Sequence, residues 1–343
     1  MYYIILSLII LLTISLALNT IALFRFVWQN DNSKNRRFAQ NIVLFLFSLF
    51  SMLIVTELFF KVVFAQSDGF GYTLASKNWK NRYWSQNSLG YRDIEWSPEM
   101  IEGRTKIMVL GDSFVAGHGI NDPTDRFSDL LGQKLGQTYA VMNVGKNGSN
   151  TKDEIKRAVE YPYEPDIIIL AFYVNDIHNT ATDMGFDRPK IKSGVSSFLE
   201  PLVEESYAFN FLYWRIYRLG PSEWENTYWN WLLEAYDNPD IWTVYQSELF
   251  QIRDYVKSKN GRLIVVVFPH LIAIEESRPI TSKVTQIFTE QDVPVLDVTE
   301  LVTGMTPADL VVNSIDSHPN EFVNRLVADK LYEIMQDQLT SNE

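Results

Sequence analysis

Two long uncharged runs open the chain. Tyr2–Phe24 carries no charged residue, and neither does Ile42–Thr56, whose apolar character continues past Glu57 and Lys61 to Phe64. A bilayer-spanning helix needs about 20 apolar residues, so the pattern predicts two transmembrane helices within residues 1–65. A cleaved signal peptide is the alternative for the first run. It calls for positive charge ahead of the apolar core, and Met1-Tyr2-Tyr3 supplies none. Between the runs lie Arg25, Lys34, Arg36 and Arg37 against one acid, Asp31, and short basic loops stay cytoplasmic. The expectation is a multi-pass protein of the plasma (inner) membrane, with everything beyond the second helix outside the cytoplasm.

Residues 66–104 are rich in aromatics, Asn and Ser, and read as an extended linker or edge segment with a turn at Ser88-Leu89-Gly90. Tyr91 and Arg92 of this segment are within reach of a site. From residue 105 the pattern changes to short, continuous apolar runs separated by helical ones. Lys106–Leu110, Tyr139–Val144, Asp166–Phe172, Arg262–Phe268 and Val293–Val298 read as strands. Phe127, Leu130, Leu131 and Leu135 recur at helical spacing, Thr151-Lys152-Asp153-Glu154 has the form of a capping box, and Phe322 to Ile334 forms a last helix capped by Asn320. Strands that are apolar throughout, alternating with helices, predict an α/β domain with a parallel sheet covered on both faces over residues 105–343. Residues 183–245 break the rhythm. They hold Trp214, Trp224, Trp229, Trp231 and Trp242, five of nine tryptophans, and read as an inserted helical subdomain or as a lid beside a site.

Composition narrows the chemistry. Cysteine is absent and only four histidines exist, so thiolate catalysis is excluded and any imidazole base is His118, His178, His270 or His318. The histidines lack His-x-x-x-His spacing and no carboxylate cluster accompanies them, so no metal centre and no cofactor is expected. Of 30 basic and 42 acidic residues, five and two fall within 1–65, leaving 25 against 40 and a net charge of −15 on the remainder. That charge speaks against a nucleic-acid partner.

Ligands of an open parallel sheet bind beyond the carboxyl ends of its strands. Three polar clusters stand there: Gly111-Asp112-Ser113, Asn143-Val144-Gly145-Lys146-Asn147-Gly148, and Asn175-Asp176. A fourth, Asp316-Ser317-His318-Pro319-Asn320, immediately precedes the last helix. Serine attacks only with a base to take its proton and donors for the oxyanion it creates. The clusters supply both: Ser113 as nucleophile, His318 as base, Asp316 to orient the imidazole, and the Ser113 and Gly148 backbone N–H groups with the Asn175 amide as an oxyanion hole. An α/β-hydrolase elbow is disfavoured because Gly111-Asp112-Ser113-Phe114-Val115 lacks its final glycine. His178 and His270 are possible pocket residues. His118 reads as a solvated loop histidine, and Asp297 as a cap that is the second choice for the orienting acid.

These clusters resemble the GDSL-type, or SGNH, hydrolase family over residues 105–340. Gly111-Asp112-Ser113 matches the nucleophile block, Gly148 and Asn175 the oxyanion-hole positions, and His318 in "DSHPN" the base. The resemblance implies a three-layer α/β/α, flavodoxin-like fold and hydrolysis of esters, in some members acyl transfer. Phe114 stands where the family name has leucine. The family's acid commonly precedes the histidine by three residues, whereas here Ile315 holds that place and Asp316 is two before. "NSLGYRD" and the N-terminal anchor further resemble a membrane-anchored bacterial branch. The substrate expected is an acylated glycan or lipid of the cell envelope. An O-acyltransferase using the same serine and a non-catalytic envelope scaffold are the alternatives.

Overall fold

The structure, a computed structural model, describes residues 18, 20, 21 and 25 and the segments 34–189, 195–218 and 223–340. They divide into two units. One takes its members from Met1–Ser67, Gly71–Arg82 and Gly194–Gly220, the other from Asp68–Phe70, Tyr83–Ser193 and Pro221–Glu343.

In the first unit, α1 (Lys34–Leu58) runs on into a π-helical turn, Phe59–Val63. Its stretch Gln40–Val63 has 24 residues of mean hydropathy 2.4, none of it buried by protein, and is the one helix among the described residues long and apolar enough to cross a membrane. The first of the two expected spans lies, apart from residues 18, 20 and 21, outside the described residues. The expectation of an extended segment over 66–104 is corrected by α2 (Leu74–Tyr83). This helix answers a need created by α1, whose last carbonyls have no partner within their own helix. Asn78 donates to the carbonyls of Phe60, Lys61 and Phe64 at 2.9–3.1 Å, and Arg82 to those of Val62 and Val63 at 3.0 Å.

The second unit is built on a five-stranded parallel sheet. Its strands are β1 (Thr105–Gly111), β2 (Tyr139–Gly145), β3 (Ile167–Tyr173), β4 (Arg262–Phe268) and β5 (Val295–Asp297), in the order β2-β1-β3-β4-β5. Successive side chains of a strand point to opposite faces, and each face has its own core. Met108, Leu110, Met142, Val144, Ile168, Leu170, Val265 and Val267 meet one set of helices: α5 (Thr151–Glu160), α9 (Glu223–Asp237), α10 (Pro239–Ser258) and α11 (Ile274–Thr289). Ile107, Val109, Ile169, Ala171, Ile264 and Val266 meet another: α4 (Phe127–Leu135), α12 (Val298–Val302) and α13 (Glu321–Thr340). A short antiparallel hairpin, β6 (Val311–Asn313) and β7 (Asp316–Pro319), precedes α13.

The tryptophan-rich stretch is not one subdomain. Its helices α7 (Glu200–Glu205) and α8 (Tyr207–Arg218) belong to the first unit, and α9 and α10 to the second. The predicted capping box is displaced by one residue. Asn150 is the cap of α5, accepting from Lys152 N at 3.1 Å and donating to Asp153 at 2.7 Å, which leaves Glu154 buried. Asn320 caps α13 as expected, accepting from Phe322 N and Val323 N.

Candidate active site

In the order β2-β1-β3-β4-β5 the connections leave in opposite directions from β1 and β3, so the crevice at their carboxyl ends is the ligand position. Ser113 stands there at the head of α3 (Ser113–Ala116). Asp112 makes the turn, its carboxylate accepting from Phe114 N at 2.8 Å, and Gly117 closes it at φ 69°, a left-handed conformation that glycine adopts without steric cost. The loop is held from three sides. Arg92, buried, donates to the carbonyls of Gly117 at 2.6 Å and Ile120 at 2.7 Å. Asn143 donates to Val115 O at 2.7 Å. Gly145 lies so close beneath that a Cβ there would run into the backbone nitrogen of Ala116.

Asp316 and His318 arrive on β7. Residues two apart in an extended strand share a face, so the carboxylate and the imidazole lie side by side. A spacing of two along β7 thus suffices to align the acid with the base. His318 Nδ1 is 2.5 Å from Asp316 Oδ1, and His318 Nε2 is 2.8 Å from Ser113 Oγ. A carboxylate only accepts, so Nδ1 carries the proton and Nε2 offers its lone pair to the serine hydroxyl. Burial opposes charging the ring, but Asp316, and behind it Asp112 and Asp68, outweigh that cost and raise the His318 pKa above its ordinary value.

Gly148 lies three residues beyond β2, exposed and at φ 72°. Asn175 lies two beyond β3, with its Oδ1 enclosed by protein. The strands bearing them flank β1, with Gly111 in register with both Gly145 and Ala171. The structure thus joins Ser113, His318 and Asp316 in one hydrogen-bonded line and puts Gly148 and Asn175 in the two adjoining loops.

His118 is not the solvated loop residue that the sequence suggests. Its ring centroid is 4.6 Å from that of His318, and its Nε2 is 3.8 Å from Asp316 Oδ2. Asn147 Nδ2 donates to its Nδ1 at 2.8 Å and its Nε2 donates to the carbonyl of Asp68 at 2.9 Å, which fixes a neutral tautomer. Burial, followed by the His318 ring, pushes its pKa down to about 4. His270 accepts or donates at Nδ1 with Tyr173 Oη at 2.8 Å and stacks on Trp229, while His178, first residue of α6 (His178–Asp183), bonds Tyr228 Oη and has its pKa pushed down to about 3, chiefly by burial. Both belong to an aromatic wall formed with α9. Asp297 caps α12 through Thr299 N at 2.9 Å. His118, Asp316 and His318 offer metal-ligand atoms within 4.8 Å of one another, but their ring nitrogens are spent on the hydrogen bonds just described, and the donor set fits that network better than a cation.

Two features behind the nucleophile carry no obvious signal in the sequence. Arg157 donates to Gly111 O at 2.8 Å and Ser149 Oγ at 3.0 Å, steadying the loops after β1 and β2. Glu154 is fully enclosed, neither of its carboxyl oxygens accepts a hydrogen bond among the described residues, and burial pushes its pKa up to about 8.

Residues 109–242 match the model of the GDSL-like lipase/acylhydrolase family. The matched stretch holds Ser113 and both oxyanion-hole candidates, and the chain is a serine hydrolase acting on ester bonds. Similar solved structures include a member of the lipolytic protein G-D-S-L family from Veillonella parvula DSM 2008, with 15% identity, 67% of this chain and 98% of that one covered, and a TM-score of 0.37. They also include a carbohydrate acetylesterase family member from Sinorhizobium meliloti (14%, 69% and 99%, 0.40) and a lipase/acylhydrolase from Enterococcus faecalis (15%, 68% and 96%, 0.42). At these values the likenesses bear on neither substrate nor acceptor. No curated protein matches the chain.

Proposed function

We propose that the protein is a membrane-anchored esterase or deacylase whose catalytic unit lies outside the cytoplasm and hydrolyses an ester of a cell-envelope glycan or lipid. The observation that carries this reading is the line from Ser113 Oγ through His318 to Asp316, with steps of 2.8 and 2.5 Å, at the carboxyl edge of the sheet. Ser113 Oγ attacks the acyl carbon while its proton passes to His318 Nε2, and Asp316 holds the resulting imidazolium. The Ser113 and Gly148 N–H groups and the Asn175 amide receive the oxyanion, each donor contributing about 3 kcal/mol to the transition state. The bond to the leaving oxygen then breaks as His318 returns the proton to it. Water repeats the sequence on the acyl-enzyme and releases the acid.

Anchoring is supported by the Gln40–Val63 helix and sidedness by Arg25, Lys34, Arg36 and Arg37. Ser113→Ala and His318→Ala should each lower hydrolysis of a short-chain acyl ester by at least about a thousandfold, and the double variant should be no worse than either, because the two act as a unit. Unchanged turnover in both single variants would refute the assignment. Transfer of the acyl group to a sugar hydroxyl is the second reading, favoured by the apolar wall that Trp229 and Tyr228 make over His270 and His178. An acylated sugar among the products, with a glycan acceptor present, would select it.

A further inference from the structure

Asp68, Gly69 and Phe70 are the one stretch ahead of residue 83 that belongs to the second unit. The chain on either side belongs to the first unit, which is closed by bonds of its own: Glu57, at the end of α1, accepts from Tyr207 N at 2.7 Å, Ala208 N at 2.9 Å and Ser206 Oγ at 2.8 Å and so caps α8. The three residues spend their polar groups elsewhere. Asp68 is buried, and its carboxylate accepts from Phe70 N at 2.9 Å, which sets a tight turn. The turn directs one backbone group to each of two places in the active site. The Asp68 carbonyl accepts from His118 Nε2 at 2.9 Å, and Gly69 N donates to the carbonyl of Ile315 at 3.0 Å.

Both bonds converge on Asp316. Ile315 is the residue before it, at the entry to β7, and the β6–β7 hairpin pairs through Val311 with Pro319 and Asn313 with Asp316. A two-stranded hairpin is marginally stable by itself in water, so this one needs support from outside. Asn324 Nδ2 supplies it at the far end of β7, donating to Pro319 O at 3.1 Å, and Gly69 supplies it at the near end. A Cβ on Gly69 would meet Asp316 Cα and Oδ1 at 4.0 Å, so the segment runs in van der Waals contact with the acid. His118, held between the Asp68 carbonyl and Asn147 Nδ2, has its Nε2 3.8 Å from Asp316 Oδ2 and its ring centroid 4.6 Å from that of His318. The carboxylate is thus backed on both oxygens, Oδ1 beside Gly69 and Oδ2 beside His118, while Oδ1 meets His318 Nδ1 at 2.5 Å.

We infer that Asp68–Phe70 is a positioning strap for the reaction, holding Asp316 where it orients His318 and taking no part in bond making itself. The inference rests on the Ser113–His318–Asp316 reading of the site.

The full chain, assayed with a short-chain acyl ester on the plateau of its pH profile, tests it. Gly69→Pro removes the N–H given to Ile315, whereas Gly69→Ala keeps it and its Cβ meets only ordinary contacts. Asp68→Ala removes the acceptor that sets the turn, and Asp68→Asn keeps one. Gly69→Pro and Asp68→Ala should each lower kcat about tenfold, the rate equivalent of one hydrogen bond lost from the alignment, with KM within about twofold of wild type. Gly69→Ala and Asp68→Asn should recover most of that loss. Introduced into Asp316→Asn, where the orienting charge is already gone, Gly69→Pro and Asp68→Ala should change kcat by less than about twofold, because residues acting through one group are not additive. Where Gly69→Pro fails to fold, Asp68→Ala carries the same comparison. Wild-type kcat in both variants, or an equal loss in the wild-type and Asp316→Asn backgrounds, would overturn the strap and leave the triad standing. Undiminished hydrolysis by Ser113→Ala would overturn the triad, and the strap with it.

Discussion

Replacing Asp316 by Asn keeps the shape of the side chain on its strand and removes the charge that favours a proton on His318. A general base works only when neutral, so activity appears as pH rises through its pKa. Asp316 raises that pKa, so Asp316→Asn should move the acidic limb of kcat/KM to lower pH while lowering the plateau, because the tautomer is no longer fixed. An unmoved limb in a pH series on a short-chain ester would contradict the pairing. His118 acts at one remove. His118→Phe keeps a ring against His318 but loses the bonds to Asn147 and the Asp68 carbonyl, each worth about 1 kcal/mol. The expected result is a fall in kcat on the order of tenfold with KM little changed. Ser113, His318 and Asp316 were legible in the sequence because their chemistry announces them at strand ends. His118 was not, because its bonding partner is a backbone carbonyl 50 residues upstream, and a carbonyl has no sequence signature.

Four strands of the sheet were legible to within a residue at each end, since burial on both faces makes them unbroken apolar runs, whereas of the expected Val293–Val298 only Val295–Asp297 is strand. The hairpin β6–β7 was not, since its strands are three and four residues long and carry the polar groups of the site. α2 was missed because what it satisfies, the end of α1, is a need of the folded backbone. In α5 the misplaced capping box has a consequence for stability. The folded state holds a proton on Glu154 up to about pH 8, whereas the unfolded chain releases it near 4.5. At this group the native protein therefore binds more protons in that window, and the contribution of Glu154 to stability falls as pH rises through it. Glu154→Gln removes the titrating group; its Tm should vary less between about pH 5 and pH 8 and exceed the wild-type value at the upper end, as thermal unfolding at several pH values would show. A Tm difference between Glu154→Gln and wild type that does not grow across the window would contradict the argument.

For the molecule as a whole, the proposed anchoring by Gln40–Val63 turns on which side of a membrane the second unit would occupy. Val159 is 57% exposed on α5, and a cysteine placed there is the sole thiol of the chain. With the basic loop inside, a membrane-impermeant maleimide should label Val159→Cys from the outer side of the membrane without permeabilisation; labelling only after permeabilisation would place the unit in the cytoplasm. Domain organisation was the least legible level. The sequence suggests consecutive blocks, whereas the chain leaves the first unit after Arg82 and returns to it at Gly194. Local pattern does not encode such a return.

The Glu57 cap joins residues 150 apart in the chain, and that interval is also a span of time. At about 5–20 residues per second, a ribosome finishes the apolar helix roughly 8–30 s before it delivers the amides of Tyr207 and Ala208. During biosynthesis the Glu57 carboxylate waits without the Tyr207 and Ala208 amides, while β1, β2 and β3 are already made. The first unit is completed only after three of the five strands of the sheet have been synthesised.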